Sequence, residues 1–271
     1  MKRTRVLISC LAFLWVSIIG LHQAEGAGIA DTYHNLMPAG GGGAAAGPGT
    51  IKGQLNEICV YCHTPHMAAT ADNTSGPLWN RTVSSATFTL YSSSTLNSTP
   101  TQPSGVSKAC LSCHAGDVSI NALLNWPGSG AGTAIVKTDT KIGTAPAVQS
   151  NDMSLIGTDL SNDHPVSMVY ANAKSPGLGT ATIGDDTNTS GFRPTILSGT
   201  RTLVDGTAVA GTAPATTLQL PLYTGGKVEC ASCHDPHEAR TKVAQSGTGG
   251  SVWFLRASND GSQLCRTCHL K

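Results

Sequence analysis

Large side chains are scarce in this sequence: 5% of its 271 residues are aromatic and 12% are charged, while 31 are glycine. Such a chain has few groups with which to build an ordinary apolar core, because burial of large side chains is what offsets the conformational entropy of folding. Charge of one sign is lacking too. The 17 Lys and Arg against 16 Asp and Glu leave a formal net charge of +1, which argues against nucleic acid as a partner. The one long apolar run, Val6 to Leu21, has sixteen residues, short of the about 20 that a membrane-spanning helix needs. Cysteine is missing from every stretch after residue 26 except four short ones. No thiol is therefore spare for a disulfide, a zinc site or a nucleophile.

The first residues have the form of a secretory signal. Lys2, Arg3 and Arg5 precede the apolar run, and Ala24 and Gly26 offer the small side chains that a signal peptidase accepts. Residues 1–26 are expected to be a signal peptide cleaved after Gly26, with no membrane span left afterwards. An uncleaved anchor helix is the rival reading. Leu7-Ile8-Ser9-Cys10 imitates a lipoprotein box, but most of the apolar run follows Cys10 instead of preceding it. The expected location is extracellular or on the outer cell surface, with the periplasm as the alternative. Residues 27–50 form an N-terminal segment with a glycine-rich tether that includes Gly40 to Gly43 and Gly47, a composition that behaves as a coil. Residues 51–271 form the main domain.

What is present is a repeated pentapeptide. Cys-x-x-Cys-His occurs at Cys59/Cys62/His63, Cys110/Cys113/His114, Cys230/Cys233/His234 and Cys265/Cys268/His269, referred to below as motifs 1 to 4. Composition alone produces roughly 0.01 such motifs in a chain of this length, and the spacing is the covalent attachment signature of a c-type haem. Paired cysteines in an exported protein would otherwise suggest a disulfide framework, but the uniform gap and the histidine after every pair favour haem. Four covalently attached haem c groups are expected. The core should then be made of cofactors, giving a mostly irregular multihaem fold with short helices and a few short strands.

Motif spacing suggests two halves, 51–127 and 192–271. Motifs 1 and 2 lie 51 residues apart, motifs 3 and 4 lie 35 apart, and 120 residues separate motif 2 from motif 3. Each half opens on an extended form, Cys59 to His66 (Cys-Val-Tyr-Cys-His-Thr-Pro-His) and Cys230 to His237 (Cys-Ala-Ser-Cys-His-Asp-Pro-His), and closes on a plain one. Duplication is the simplest source of that order. Helical character is expected at 54–61 and 261–267, a strand or hairpin at 80–92, two or three strands within 195–223, and loops at 128–150 and 171–191.

The histidine count closes. Outside the motifs and after the signal stand His34, His66, His164 and His237, so four proximal and four distal ligands are available and bis-histidine ligation is expected at every iron. Methionine ligation by Met37, Met67, Met153 or Met168 is the alternative; it would strand a histidine and raise the potential of that haem. His66 follows His63 by three residues, a reach of at most about 11 Å, too short to straddle a porphyrin. His66 and His237 should therefore each serve a neighbouring haem, from turns stiffened by Pro65 and Pro236. Pro165 holds His164 extended. His34, next to the tether, is expected to ligate a haem of a neighbouring subunit in a head-to-tail homopolymer.

The doubled motifs, Asn162-Asp163-His164-Pro165-Val166, Gly76-Pro77-Leu78-Trp79-Asn80-Arg81 and the closing stretch from Trp253 to His269 resemble exported tetrahaem cytochromes of metal-reducing bacteria that polymerise into extracellular filaments. The resemblance implies haems stacked in a continuous chain, scant secondary structure, and an axial histidine donated across the subunit boundary. It assigns proximal roles to His63, His114, His234 and His269 and distal roles to His66, His164, His237 and His34. The expected function is electron transfer, without catalysis, to other redox proteins or external acceptors. The alternative is a multihaem oxidoreductase with one open haem, which a closed histidine count disfavours.

Overall fold

The structure is a computed structural model that describes residues 29–38, 51–68, 78–94, 96, 98–127, 137–143, 154–170, 195–198, 201–205, 218–237, 243–244, 251–252, 254–257 and 259–269. The signal at 1–26, the tether, and most of the two expected loops lie outside these residues. Regular structure is sparse and short. Helix α1 spans Gly105–His114; strands β1 (Met168–Val169), β2 (Thr195–Ser198), β3 (Arg201–Asp205), β4 (Gln219–Pro221) and β5 (Lys227–Val228) follow; then come helix α2 (Cys230–Cys233), strands β6 (Val243–Ala244) and β7 (Ser251–Val252), and helix α3 (Gln263–Cys268). Strands β2, β3 and β4 form an antiparallel three-stranded sheet, as the sequence leads one to expect for 195–223, while β1 pairs with β5 and β6 with β7. Among the described residues no helix is long and apolar enough to cross a membrane.

The strand expected at 80–92 is not there. That stretch makes only isolated bridges, Arg81 with Leu123 and Thr89 with Asp159. Its two ends bind different segments, Thr82 N–H to the Ala122 carbonyl and Thr89 N–H to the Thr158 carbonyl, so no ladder can grow between one pair of neighbours.

Backbone hydrogen bonds reveal a repeat deeper than the shared motifs. In the first half Thr64 N–H bonds the Leu78 carbonyl at 2.9 Å and Asn80 N–H bonds the Cys62 carbonyl at 2.8 Å; in the second, Asp235 N–H bonds Phe254 at 2.7 Å and Arg256 N–H bonds Cys233 at 2.8 Å. Leu78 and Phe254 both hold positive φ, at 56° and 64°, a conformation that costs a large side chain energy and persists only where packing demands it. Side chains repeat as well. Asn80 Nδ2 donates to the Val60 carbonyl at 2.9 Å, and Arg256 Nε donates to the equivalent Ala231 carbonyl at 2.7 Å. Each half thus clamps its extended motif against a short returning strand.

Apolar burial is divided into small clusters, each beside a motif. Tyr61, Leu123 and Trp126 pack with Cys62; Phe88, Leu111, Ala115 and Leu160 surround α1; Leu220, Leu255 and Leu264 pack with Cys233 and Cys268; Met168, Tyr170, Val204, Leu222 and Val228 complete the second half. A buried polar clasp joins the halves. The Glu229 carboxylate accepts from the Ser107 hydroxyl of α1 and from Ser167 Oγ at 2.9 Å, while Ser107 Oγ accepts from Cys230 N–H at 3.0 Å. Burial pushes the Glu229 carboxyl above its ordinary range, against the pull of the two hydroxyls.

Asn80 is fully buried; its Nδ2 also donates to the Asn125 carbonyl at 3.0 Å, and its Oδ1 accepts from Asn125 N–H at 2.8 Å. Asn80→Ala leaves those backbone groups without partners and should cost about 3 kcal/mol, since each orphaned buried group costs about 1–3 kcal/mol. Denaturant unfolding of the haem-loaded protein measures it; a loss below about 0.5 kcal/mol would show that the clamp contributes little.

Candidate functional site

Each motif is one helical turn. His63, His234 and His269 donate their N–H to the carbonyl of the first cysteine of their own motif, Cys59, Cys230 and Cys265, at 2.8, 3.0 and 2.9 Å, and motif 2 closes α1. Positions i, i+3 and i+4 share one face of such a turn, so both thiols and the imidazole point to the same side. No disulfide joins any of the eight motif cysteines, which are exposed at Cys59 and Cys265 and half-buried elsewhere. Burial pushes Cys62 up to about 12 and Cys233 up to about 11, so neither is an anionic nucleophile near neutral pH. Adjacent motifs sit side by side. Cys62 lies near Cys113, Cys110 near Cys230, and Cys233 near Cys265; the motifs run as neighbours from motif 1 to motif 4.

Six histidines meet as three facing pairs. Ring centroids lie 6.2 Å apart for His34 and His114, 6.0 Å for His63 and His237, and 6.4 Å for His164 and His269, with interplanar angles of 62°, 19° and 73°. An imidazole nitrogen ligates a metal at about 2 Å and its ring centroid lies about 1 Å beyond, so two rings on opposite faces of one iron have centroids about 6 Å apart. Every pair joins one motif histidine to one from outside the motifs. His237, carried on the turn of motif 3, faces motif 1 and not its own motif.

The second ring nitrogen carries the same message in four of these rings. His114 Nδ1 lies 2.6 Å from the Ser154 carbonyl, His164 Nδ1 3.0 Å from that of Pro165, His34 Nδ1 3.4 Å from that of Pro236, and His237 Nδ1 3.4 Å from the Asp235 carboxylate. A proton held on Nδ1 by an acceptor leaves the Nε2 lone pair for a metal, the arrangement metal-ligating histidines adopt. Burial, with the nearby His114 ring adding to it, lowers the His34 pKa to about 4, so at neutral pH that imidazole is in its neutral, ligating form. The donor set fits haem c. Two further observations agree: a cleft of about 460 Å³ over motif 1 is bordered by Cys59, His63, Pro65 and Trp126, and buried Trp79 Nε1, on the ring that meets His63 edge-on at 6.0 Å, lacks a hydrogen-bond acceptor among the described residues.

His34 is held by its own chain. Its segment docks on its own chain through Gly53 N–H to the Leu36 carbonyl at 2.7 Å, Lys52 Nζ to the Asn35 carbonyl at 2.9 Å and the buried side chains of Asn35 and Met37, and its ring stacks on Phe254 at 4.2 Å. His34 therefore faces His114 within one molecule. His66 stands apart: it is exposed, and its imidazole has no ring contact with another histidine among the described residues. His234 is exposed too and close enough to affect His34. Of the methionines, Met37 and Met168 are buried in apolar surroundings and Met67 is 85% exposed; Met153 lies outside the described residues.

A family profile described as the doubled CXXCH motif matches residues 222–271. That segment contains motifs 3 and 4. The doubled motif implies covalently bound haem c, and with it a multihaem c-type cytochrome acting in electron transfer. No curated protein matches the chain.

Two functional residues are not evident from the motifs. Asp235 holds His237 and pairs with Arg256 Nη1 at 3.0 Å, so the Asp in Cys-Ala-Ser-Cys-His-Asp-Pro-His orients a ligand of another site. Arg81 is the other; the stretch Leu78 to Arg81 marks it in the sequence, but its burial does not show there.

Near-parallel axial imidazoles separate the iron d orbitals and produce a rhombic low-spin spectrum, whereas near-perpendicular ones leave them almost degenerate and produce a single large g value. Ferric electron paramagnetic resonance should therefore show a rhombic species from His63 and His237 and large-g species from the other two pairs. His237→Ala should remove one haem's worth of rhombic signal, add one high-spin haem and spare the large-g signals; an undiminished rhombic signal would break the His63–His237 assignment.

Proposed function

We propose that this chain is an exported tetrahaem cytochrome that conducts electrons along a row of bis-histidine haems, working outside the cell or at its surface. The observation that carries the reading is the set of three histidine pairs at 6.0 to 6.4 Å. Haem c, when bound, supplies a one-electron couple that accepts and returns electrons without bond-making to a substrate. His63, His114, His234 and His269 serve as proximal ligands, with His237, His34 and His164 opposite the first, second and fourth. The eight cysteines anchor the four groups, and the adjacency of their motifs keeps successive groups within easy electron-transfer distance. Pairing His237 with motif 1 ties motif 3 to motif 1 through a turn that carries one ligand of each.

Assembly follows from the ligand left outside. We infer that the exposed His66 ligates a haem held by a second copy of the chain, making a head-to-tail contact that propagates instead of closing. Support comes from its exposure on a turn stiffened by Pro65, beside Met67 at 85% exposure.

The intact mass of the secreted protein should exceed that of its chain by four haem groups, and its ferric spectrum should be low-spin throughout, without binding carbon monoxide or cyanide. A substantial high-spin fraction that takes such ligands would favour an oxidoreductase. Electron microscopy of the secreted protein should show filaments, and His66→Ala should leave single subunits with one high-spin haem. Filaments that persist in that variant would overturn the assembly proposal while leaving the conduit intact.

A further inference from the structure

The two halves match in backbone but not in charge. At the position after the clamp, the first half carries Arg81 and the second Ala257, and both are buried, at 1% and 6% exposure. Arg81 Nη1 donates to the Tyr61 carbonyl of motif 1 at 3.2 Å and to the Ile120 carbonyl at 2.6 Å, Nη2 to the Ser119 carbonyl at 2.8 Å, and Nε to Ser112 Oγ of motif 2 at 3.4 Å. All its partners are neutral. Among the described residues no carboxylate lies within ion-pair distance of it; Asp117 instead accepts from Ser84 Oγ at 2.6 Å. Carbonyl dipoles satisfy the guanidinium but do not cancel its charge, and a guanidinium keeps its proton in any protein environment.

The second half balances its own cation. Arg256, at the place of Asn80, pairs with Asp235 at 3.0 Å. Glu229 precedes motif 3 where Ile58 precedes motif 1, and its carboxylate lies against Ser107 of α1, between motifs 2 and 3. Arg81 is thus a buried positive charge without an acidic partner among the described residues, placed between motifs 1 and 2. Oxidising a haem adds positive charge to it, so a cation held nearby in a weakly screening interior disfavours the ferric state.

We propose that Arg81 raises the reduction potentials of the haems on motifs 1 and 2 above those on motifs 3 and 4, so that electrons collect in the first half of the molecule. The proposal rests on the tetrahaem reading given above. Arg81 acts here as a positioning and tuning residue, since it bridges the two attachment turns without reaching a ligand.

A potentiometric titration of the haem-loaded protein followed by electron paramagnetic resonance tests it. In the wild-type protein the rhombic species of motif 1 should disappear on reduction in the upper half of the potential range; disappearance in the lower half overturns the proposal without any variant being needed. Arg81→Met and Arg81→Gln should lower the ferrous-to-ferric ratio of that species at fixed potential at least tenfold, equivalent to 59 mV for a one-electron couple, with the haem of motif 4 unmoved. Arg81→Lys, which keeps the charge and loses the fork, should retain most of the wild-type potential. Equal shifts in the Lys and Met variants, or none in Met and Gln, would show that Arg81 only braces the fold. Fewer than four haems by mass would instead sink the tetrahaem reading, so the two failures are distinguishable.

Discussion

A two-bond backbone clamp organises this molecule. In each half the segment following the extended motif returns to it, giving a carbonyl to the residue after the histidine and taking one from the second cysteine, as Leu78 and Asn80 do for Thr64 and Cys62. The strained φ of Leu78 and Phe254 follows from that demand. With the clamp shut, a single helical turn is held rigid without a long helix to support it, and its cysteines and histidine keep one facing direction. The small apolar clusters, the Asn80 and Arg256 side-chain bonds and the placing of His237 all build on the returning strand.

The clamp accounts for how a chain so poor in large side chains positions chemistry at all. Conventional domains aim their functional groups from a contiguous core; here the apolar clusters are separate, and backbone and buried polar contacts provide the aim. Arg81 reaches motifs 1 and 2, and Glu229 joins α1 to motif 3 through Ser107. Both are ionisable groups at places where an ordinary core would have an aliphatic one. Their burial fits a protein whose interior is shaped around charged, redox-active groups, and whose electrostatics bear directly on function.

Sequence and structure agree most closely where the chemistry is local. The Cys-x-x-Cys-His spacing is legible because one turn of helix suffices to express it, and the three strands within 195–223 follow from their alternation and turn residues. Residues 80–92 show the limit of local patterning: Thr-rich alternation marks an extended segment, but a strand needs one continuous neighbour, and Ala122 and Thr158 belong to different ones. His34 shows another. A glycine tether beside it suggests reach, and the docking of its segment on its own chain through Leu36 and Met37, residues with no motif of their own, is not legible there.

The sequence by itself determined the inventory: after residue 26, eight thiols in four pairs, four histidines following them and four more apart, and a doubled order of extended and plain motifs, since covalent spacing and stoichiometry are properties of the chain alone. Tertiary structure decided the connectivity. That His237 faces His63, that His34 faces His114, and that Arg81 lies buried where its counterpart is Ala257 depend on contacts between segments tens to hundreds of residues apart, which no local pattern encodes.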